Sequence, residues 1–276
     1  MTAVATRAPV DAAAVPLTAR STAVLAVASL AGLVAFLWPL FWAPTWQLPT
    51  AQAPLVFALV LPLVLAVVWS ELAGDGLDVK ALAMLGVLSA IGAVVRPLGA
   101  GTAGLEPVFF VLLLGGRVFG PGFGFAQGAL TLAASALLTG GVGPWLPYQM
   151  LAAGFVGLGA GLLPRARGKA ELAWLAGWGL VSAFAYGWLM DFAFWPFAVG
   201  PATQFSFDPS AGIAHNLHTF VLFNLATSMG WNLMRGLTSV ALVLIAAPSL
   251  LPVLRRAARR ASFGVPARVR EPQQHA

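Results

Sequence analysis

The sequence predicts an all-α membrane protein, a polytopic bundle of membrane-spanning helices. Hydrophobic residues make up 59% of the 276 residues and charged residues only 9%, and a soluble domain of this size could not bury so much apolar surface. The apolar segments recur at lengths near 20 residues, about the number of helical residues that crosses a hydrocarbon core about 30 Å thick. These Leu/Ala/Gly-rich runs are too continuous for the alternating pattern of barrel strands.

Turns and charged residues divide the apolar sequence into eight predicted helices. The first follows an Ala/Thr/Pro-rich tail and is long enough to remain as a span instead of a cleaved signal peptide. Arg96 ends the third and Glu106 begins the fourth, which is short enough to be tilted, broken or re-entrant. Gly/Pro-rich turns at 119–124 and 140–145 bracket the fifth. The predicted helices run over 21–43, 52–70, 79–97, 105–117, 122–140, 147–163, 171–197 and 217–247.

The distribution of basic residues predicts which side each loop lies on. With eight spans, nearly all Lys and Arg residues outside the helices fall on one side, and the loops near 44–51, 98–104, 141–146 and 198–216 contain none. By the positive-inside rule both termini are then cytoplasmic, and the net charge of +6 reflects topology, not nucleic-acid binding. The flanking basic residues are Arg7, Arg20, Arg117, Arg165, Arg167, Lys169, Arg255, Arg256, Arg259, Arg260, Arg268 and Arg270.

Three charged residues lie in or beside the outer halves of the predicted spans: Arg96, Glu106 and Asp191. A charge at the bilayer centre costs at least about 2.5 kcal/mol on insertion scales, so such groups usually face a cavity, a bundle interior or a partner. Arg96 could instead snorkel at the interface. Ligand contact or an ion pair in a cavity is favoured, because Pro97 and a Gly-rich loop follow it. Arg235, predicted in the inner half of the last helix, is assigned a structural role.

Polar and aromatic residues at the same level extend this candidate binding site. Gln149, one turn inside a span, needs a hydrogen-bond partner from a neighbouring helix or a solute. Trp145 and Tyr148 share its helix face and would contact a ligand or anchor the helix at the interface. Asn216 and His218 would bind an organic solute or cap the last helix. The three-residue spacing of His215 and His218 also permits a metal site, but two histidines are weak evidence and no metal is predicted.

The sequence lacks the common signatures of soluble enzymes. There is no GxxxxGK[ST] phosphate loop, no GxSxG elbow, no HExxH and no pair of DxxxD motifs. Cys is absent, which excludes disulfides and thiolate chemistry. The chain is therefore predicted not to be an enzyme and to need no cofactor. Two alternatives stay open: a scaffold protein, or an intramembrane enzyme that acts on a lipid-borne substrate with Glu106, Asp191 and His218 as its acid/base groups.

Three segments within residues 79–247 resemble a known transporter family. They read ALAMLGVLSAIGAVVRP, GGRVFGPGFGFAQG and SALLTGGVGPWLPYQMLAAGFVGLGAGLLP. In these segments the chain resembles the substrate-specific S component of energy-coupling factor (ECF) vitamin transporters. The resemblance implies a six-helix core preceded by two additional helices. It divides the chain into a tail at 1–20, the added helices at 21–71, the core at 72–248 and a basic cytoplasmic tail at 249–276.

The resemblance also implies a function. S components capture a vitamin or vitamin precursor from outside a prokaryotic plasma membrane and pass it to a transmembrane T component driven by two ATPase subunits. Their docking surface uses small residues on the first core helix, matched here by the pairs Gly86 with Ala90 and Ser89 with Ala93, although such residues also serve packing within a bundle. The Met-His start of the nickel and cobalt members is missing, which disfavours a metal substrate. A cobalamin-type substrate is the first candidate.

Overall fold

The protein is a helical membrane bundle, as the sequence predicts. The computed structural model describes residues 14–15, 17–41, 60–72, 79–99, 103–199 and 203–262. Five helices within these residues are long and apolar enough to cross a membrane. A 3₁₀-helix, Arg96–Gly99, extends α4. The α-helices are α1 Ala19–Phe36, α2 Trp38–Phe41, α3 Val60–Leu72, α4 Val79–Val95, α5 Val108–Phe119, α6 Pro121–Thr139, α7 Leu146–Leu162, α8 Lys169–Ala198, α9 Ile213–Thr227 and α10 Met229–Ser262.

The outer surface of the bundle is apolar, as contact with lipid requires. Large hydrophobic side chains such as Val27, Trp69, Ile91 and Ile245 are exposed on four different helices. Soluble monomers rarely expose such extensive apolar surface. The chain is therefore a multi-pass membrane protein.

The main departure from the predicted helices lies in the last one. The predicted helix at 217–247 is two helices, because α9 ends at Thr227 and α10 begins at Met229 after Ser228. Predicting the end at 247 was also wrong, since α10 passes through Pro248 and Pro252 and continues to Ser262. An Arg-rich continuation with high helix propensity extends it. Of the predicted second helix, residues 52–59 lie outside the described residues.

Glycines allow α5, α6 and α7 to pack at the centre of the bundle. A Cβ at Gly124 would collide with the backbone of Gly157, and one at Gly128 would collide with the backbone of Ala153. Gly120 joins α5 to α6 with a φ of 111°, a value that L side chains rarely adopt. The glycines of the segment at 119–128 thus permit close helix contact.

The N-terminal helices α1 to α3 pack directly against this core. The Tyr148 hydroxyl of α7 donates a hydrogen bond of 3.1 Å to the Ala35 carbonyl of α1, and the Phe36 ring lies edge-on to Tyr148 at 4.9 Å. The Trp38 indole donates to the Ala193 carbonyl of α8 at 3.2 Å. Phe36 is fully buried by these contacts. The additional helices are therefore part of the packed bundle.

One end of the bundle is closed by an ion-pair network, which we call the basic end: Arg117, Glu171 and Arg255. Arg117 Nε lies 2.6 Å from Glu171 Oε1, and Arg255 pairs with the same oxygen. Glu171 is 3% exposed. Arg117 also donates to backbone carbonyls that follow α7, those of Leu163, Pro164 and Ala166. The network thereby links α5, α8, α10 and the connection between α7 and α8.

Candidate functional site

A cavity of about 300 Å³, lined by apolar and charged side chains, lies at the opposite end of the bundle. The end of α4, the segment before α5, the end of α6, the starts of α7 and α10 and the middle of α8 meet around it. Its walls combine charged, aromatic and aliphatic side chains. The lining residues are Arg96, Pro97, Gly99, Glu106, Val108, Phe109, Leu112, Leu132, Thr139, Gln149, Ala153, Tyr186, Trp231 and Arg235.

An ion pair between Glu106 and Arg235 forms one wall of the cavity. Arg235 Nη2 lies 2.8 Å from Glu106 Oε1, and its Nη1 donates to Asn232 Oδ1 at 2.9 Å. The guanidinium carbon is 5.3 Å from the ring centroid of Phe109 and 5.1 Å from that of Tyr186. Both distances lie within the range of cation–π attraction. Arg235 is therefore fixed in position by a carboxylate, an amide and two rings.

The second arginine of the cavity, Arg96, has much weaker partners. Its Nη1 donates to Ser135 Oγ at 3.3 Å and its Nη2 to Gln149 Oε1 at 3.5 Å. Both distances are longer than the usual 2.7 to 3.2 Å, and both acceptors are neutral. In the part of the chain that the structure describes, no carboxylate lies within ion-pair distance of Arg96. The cavity thus presents a guanidinium with spare hydrogen-bonding capacity.

Further polar groups at the cavity have no hydrogen-bond partner among the described residues. They include the hydroxyl of Tyr186 on α8 and Arg235 Nε, which is buried. Buried polar groups are nearly always paired in folded proteins. Together with Arg96 they leave the cavity able to hydrogen-bond a polar guest.

The remaining wall of the cavity is apolar. Val108, Phe109 and Leu112 come from the first two turns of α5, and Leu132 and Ala153 come from α6 and α7. All five side chains are largely buried. A cavity with an aliphatic and aromatic wall and a few polar groups has the composition of a small-molecule binding site.

Three of the predicted site residues, Arg96, Glu106 and Gln149, line the cavity. Two others on the same segment of the sequence do not. Tyr148 faces α1 and is 1% exposed. Trp145 is 43% exposed and donates to the Gly141 carbonyl at 3.3 Å.

The other predicted site residues lie near α9, away from the cavity lining. Asp191 accepts a hydrogen bond of 2.6 Å from Asn224 Nδ2, which ties α8 to α9. Asn216 binds both backbone groups of Asp208. Hydrogen bonds from the Ser210 hydroxyl and amide lower the pKa of Asp208 in this loop. Here Asn216 orders the loop before α9.

The two histidines do not assemble a metal site in the structure. His215 and His218 are both exposed on α9. No group of three or more His, Cys, Asp or Glu side chains that could hold a metal occurs within the described residues.

The placement of Arg235 corrects the sequence-based expectation. It was predicted in the inner half of the last helix, but it lies near the start of α10 and meets Glu106. The reason is the helix break at Ser228. The helix that contains Arg235 begins at Met229 and not at 217, so Arg235 lies in its second turn. One signal was present: Arg235 is the only Lys or Arg between Lys169 and Arg255, and a lone cation within a span needs an acidic partner.

Sequence reasoning also missed Tyr186, Phe109 and Trp231 as cavity residues. Tyr186 could have been noticed, because the chain contains only two tyrosines and a tyrosine within a span carries a hydroxyl that needs a partner. Phe109 and Trp231 give no such signal, since aromatic residues occur throughout the spans.

Comparison of the chain with protein-family models, with curated proteins and with solved structures finds no match.

Proposed function

We propose that this chain is the substrate-binding membrane subunit of an ECF-type importer, which captures a vitamin or vitamin precursor and passes it to a T component and two ATPase subunits. The observation that carries the proposal is the cavity, where Arg96 and Tyr186 present donors with spare hydrogen-bonding capacity beside an apolar wall. Polar groups inside a membrane are costly and mark binding or transport sites. The proposed family rests on the sequence segments that resemble S components.

The two ends of the bundle support an orientation for this capture. The basic end contains Arg117 and Arg255 and adjoins Arg165 and Lys169, so the positive-inside rule assigns it to the cytoplasm. The cavity is at the other end, facing the outside of a prokaryotic plasma membrane. A solute would therefore enter from outside, as import requires.

The size of the cavity supports a compact substrate. Ligand pockets range from about 300 to about 1,000 Å³, and this cavity of about 300 Å³ is at the lower limit. A vitamin precursor or a vitamin with one ring system is therefore a better candidate than a corrinoid. Cobalamin itself would extend well beyond the walls.

The geometry favours binding over intramembrane catalysis. Glu106 is paired with Arg235 at 2.8 Å, whereas Asp191 is bound to Asn224 and His218 is exposed on α9. These three candidate acid/base groups do not converge on one position. Catalysis by general acid and base would need them within hydrogen-bond reach of one substrate.

Docking on a T component is proposed for the exposed face of α4. Gly86 and Ala90 are exposed, whereas Ser89 and Ala93 are buried against the bundle. A Cβ at Gly86 would meet no atom within 4 Å. The pair Gly86 and Ala90 thus offers a surface on which another helix could approach closely.

Native mass spectrometry of the full chain purified from its host tests the binding role. We expect a small molecule to be retained, and we expect Gln149→Leu to weaken its binding by about 1 to 3 kcal/mol, the cost of an unpaired polar group. The matched control is Gln204→Leu, which changes an exposed loop residue. Equal affinity of the two variants would remove Gln149 from the site, and absence of any retained or added solute would contradict the proposal.

A further inference from the structure

The charges that line the cavity do not balance. Among the residues that line the cavity, Arg96 and Arg235 are cationic and Glu106 carries the one carboxylate, while Asp191 attracts Arg235 from outside the lining. Because Glu106 is bound to Arg235 at 2.8 Å, the excess positive charge is that of Arg96. Arg96 is partly buried, so its guanidinium is partly screened from water, and an anion that binds it is favoured.

The position of Arg96 also suits an anion. Its guanidinium lies at the cavity with only two long contacts, to Ser135 and Gln149. The planar fork of an arginine matches a carboxylate, to which it donates two parallel hydrogen bonds. A carboxylate carries one charge, equal to the excess charge of the cavity, whereas a phosphate monoester carries about 1.5 to 2 charges.

Resting on the proposed solute-binding role, we infer that the cavity selects a compact monocarboxylate, whose carboxylate binds Arg96. The apolar body of the ligand lies against Phe109, Leu112 and Leu132. Neutral polar atoms of the ligand bind the free hydroxyl of Tyr186. Cationic solutes are rejected, because Glu106 is not free to pair with them.

A mixture of water-soluble vitamins tests the selectivity directly. The full chain in lipid nanodiscs is incubated with biotin, pantothenate, nicotinate, thiamine, pyridoxine, riboflavin and pyridoxal phosphate, washed, and examined by native mass spectrometry. We expect a retained compound to be one of the three carboxylates. We further expect the methyl ester of that compound to bind at least about 10-fold more weakly, since it cannot form charge-assisted hydrogen bonds.

Variants of Arg96 then locate the selectivity. Arg96→Gln should lower the affinity for the retained carboxylate about 10- to 100-fold and remove the preference over the ester. Arg96→Lys keeps the positive charge but cannot donate two parallel hydrogen bonds, so its affinity for the carboxylate should fall less than that of Arg96→Gln. The control is Arg165→Gln, at an exposed position near the basic end, which should bind as the unmodified protein does.

Three results would overturn the inference: retention of thiamine, pyridoxine, riboflavin or the phosphate ester, equal affinity for acid and ester, or full carboxylate selectivity in Arg96→Gln. The comparison of acid with ester uses the unmodified protein, so it stands even if a variant folds poorly. Retention of no compound contradicts the proposed function itself, and the inference falls with it.

Discussion

The two ends of the bundle contain the same residue types, but they differ in how far the fold satisfies them. At the basic end, Arg117 donates to Glu171 and to the carbonyls of Leu163, Pro164 and Ala166. At the cavity end, Arg96 has two long hydrogen bonds to neutral side chains. An arginine with most of its donors engaged holds helices together. An arginine with donors to spare is available to a ligand.

The same contrast separates the chain's two tyrosines. Tyr148 donates to the Ala35 carbonyl and joins α1 to α7. Tyr186 lines the cavity, and its hydroxyl has no partner within the described residues. A hydroxyl buried in a membrane protein needs a hydrogen-bond partner. Tyr148 has one within the protein, so Tyr186 is the tyrosine that can hydrogen-bond to a ligand.

The largest expected effect comes from breaking the network at the basic end. Glu171→Leu would leave Arg117 and Arg255 without their shared carboxylate, and breaking a buried pair costs about 3 to 5 kcal/mol. Thermal unfolding in detergent should show the loss, while solute affinity of the folded fraction stays unchanged because no residue of the network lines the cavity. A large loss of solute affinity with unchanged stability would contradict the assignment of a structural role to the basic end and of solute binding to the cavity end.

A buried and an exposed position on α4, Ser89 and Gly86, should respond differently to the same substitution. Ser89→Leu places a larger side chain in a buried position and should destabilise the protein by about 1 to 3 kcal/mol. Gly86→Leu occupies open space, so stability and solute binding should be retained while uptake with the T component is lost. Cellular uptake and binding by the isolated protein are measured for both variants. Normal uptake by Gly86→Leu would exclude this face as the docking surface.

The smallest expected effects come from the tyrosine pair. Tyr148→Phe removes one hydrogen bond and should cost about 0.5 to 1.5 kcal/mol of stability without changing solute affinity. Tyr186→Phe should leave stability unchanged and weaken solute binding by a similar amount. Unfolding and binding titrations of both variants decide the matter. Weaker binding by Tyr148→Phe together with lower stability of Tyr186→Phe would show that Tyr148, and not Tyr186, contacts the solute.

Much of the fold follows from the sequence because the membrane imposes simple rules. Apolar length predicts the spans, and Gly120 and Gly140 mark turns that the structure contains. The break at Ser228 could not be predicted, since neither Gly nor Pro stands there. The last helix was predicted to end at 247, yet α10 continues through Pro248 and Pro252 to Ser262.

The candidate site was predicted only where polarity inside a span is informative. Arg96, Glu106 and Gln149 are costly in lipid, so each had to find a partner or a cavity, and all three line the cavity. Tyr148 satisfies the same requirement through Ala35 of α1. Which helices become neighbours depends on long-range packing, and periodicity along the sequence does not contain that information.

A structure of the full chain with its retained solute, determined by cryo-electron microscopy in lipid nanodiscs, tests the central claim most directly. The account predicts density for one compact molecule in the cavity, in contact with the Arg96 guanidinium and the Tyr186 hydroxyl. It also predicts that the network of Arg117, Glu171 and Arg255 is unchanged. Density for the solute at any other place, with the cavity collapsed around Arg96, would contradict the claim that this end of the bundle is the binding site.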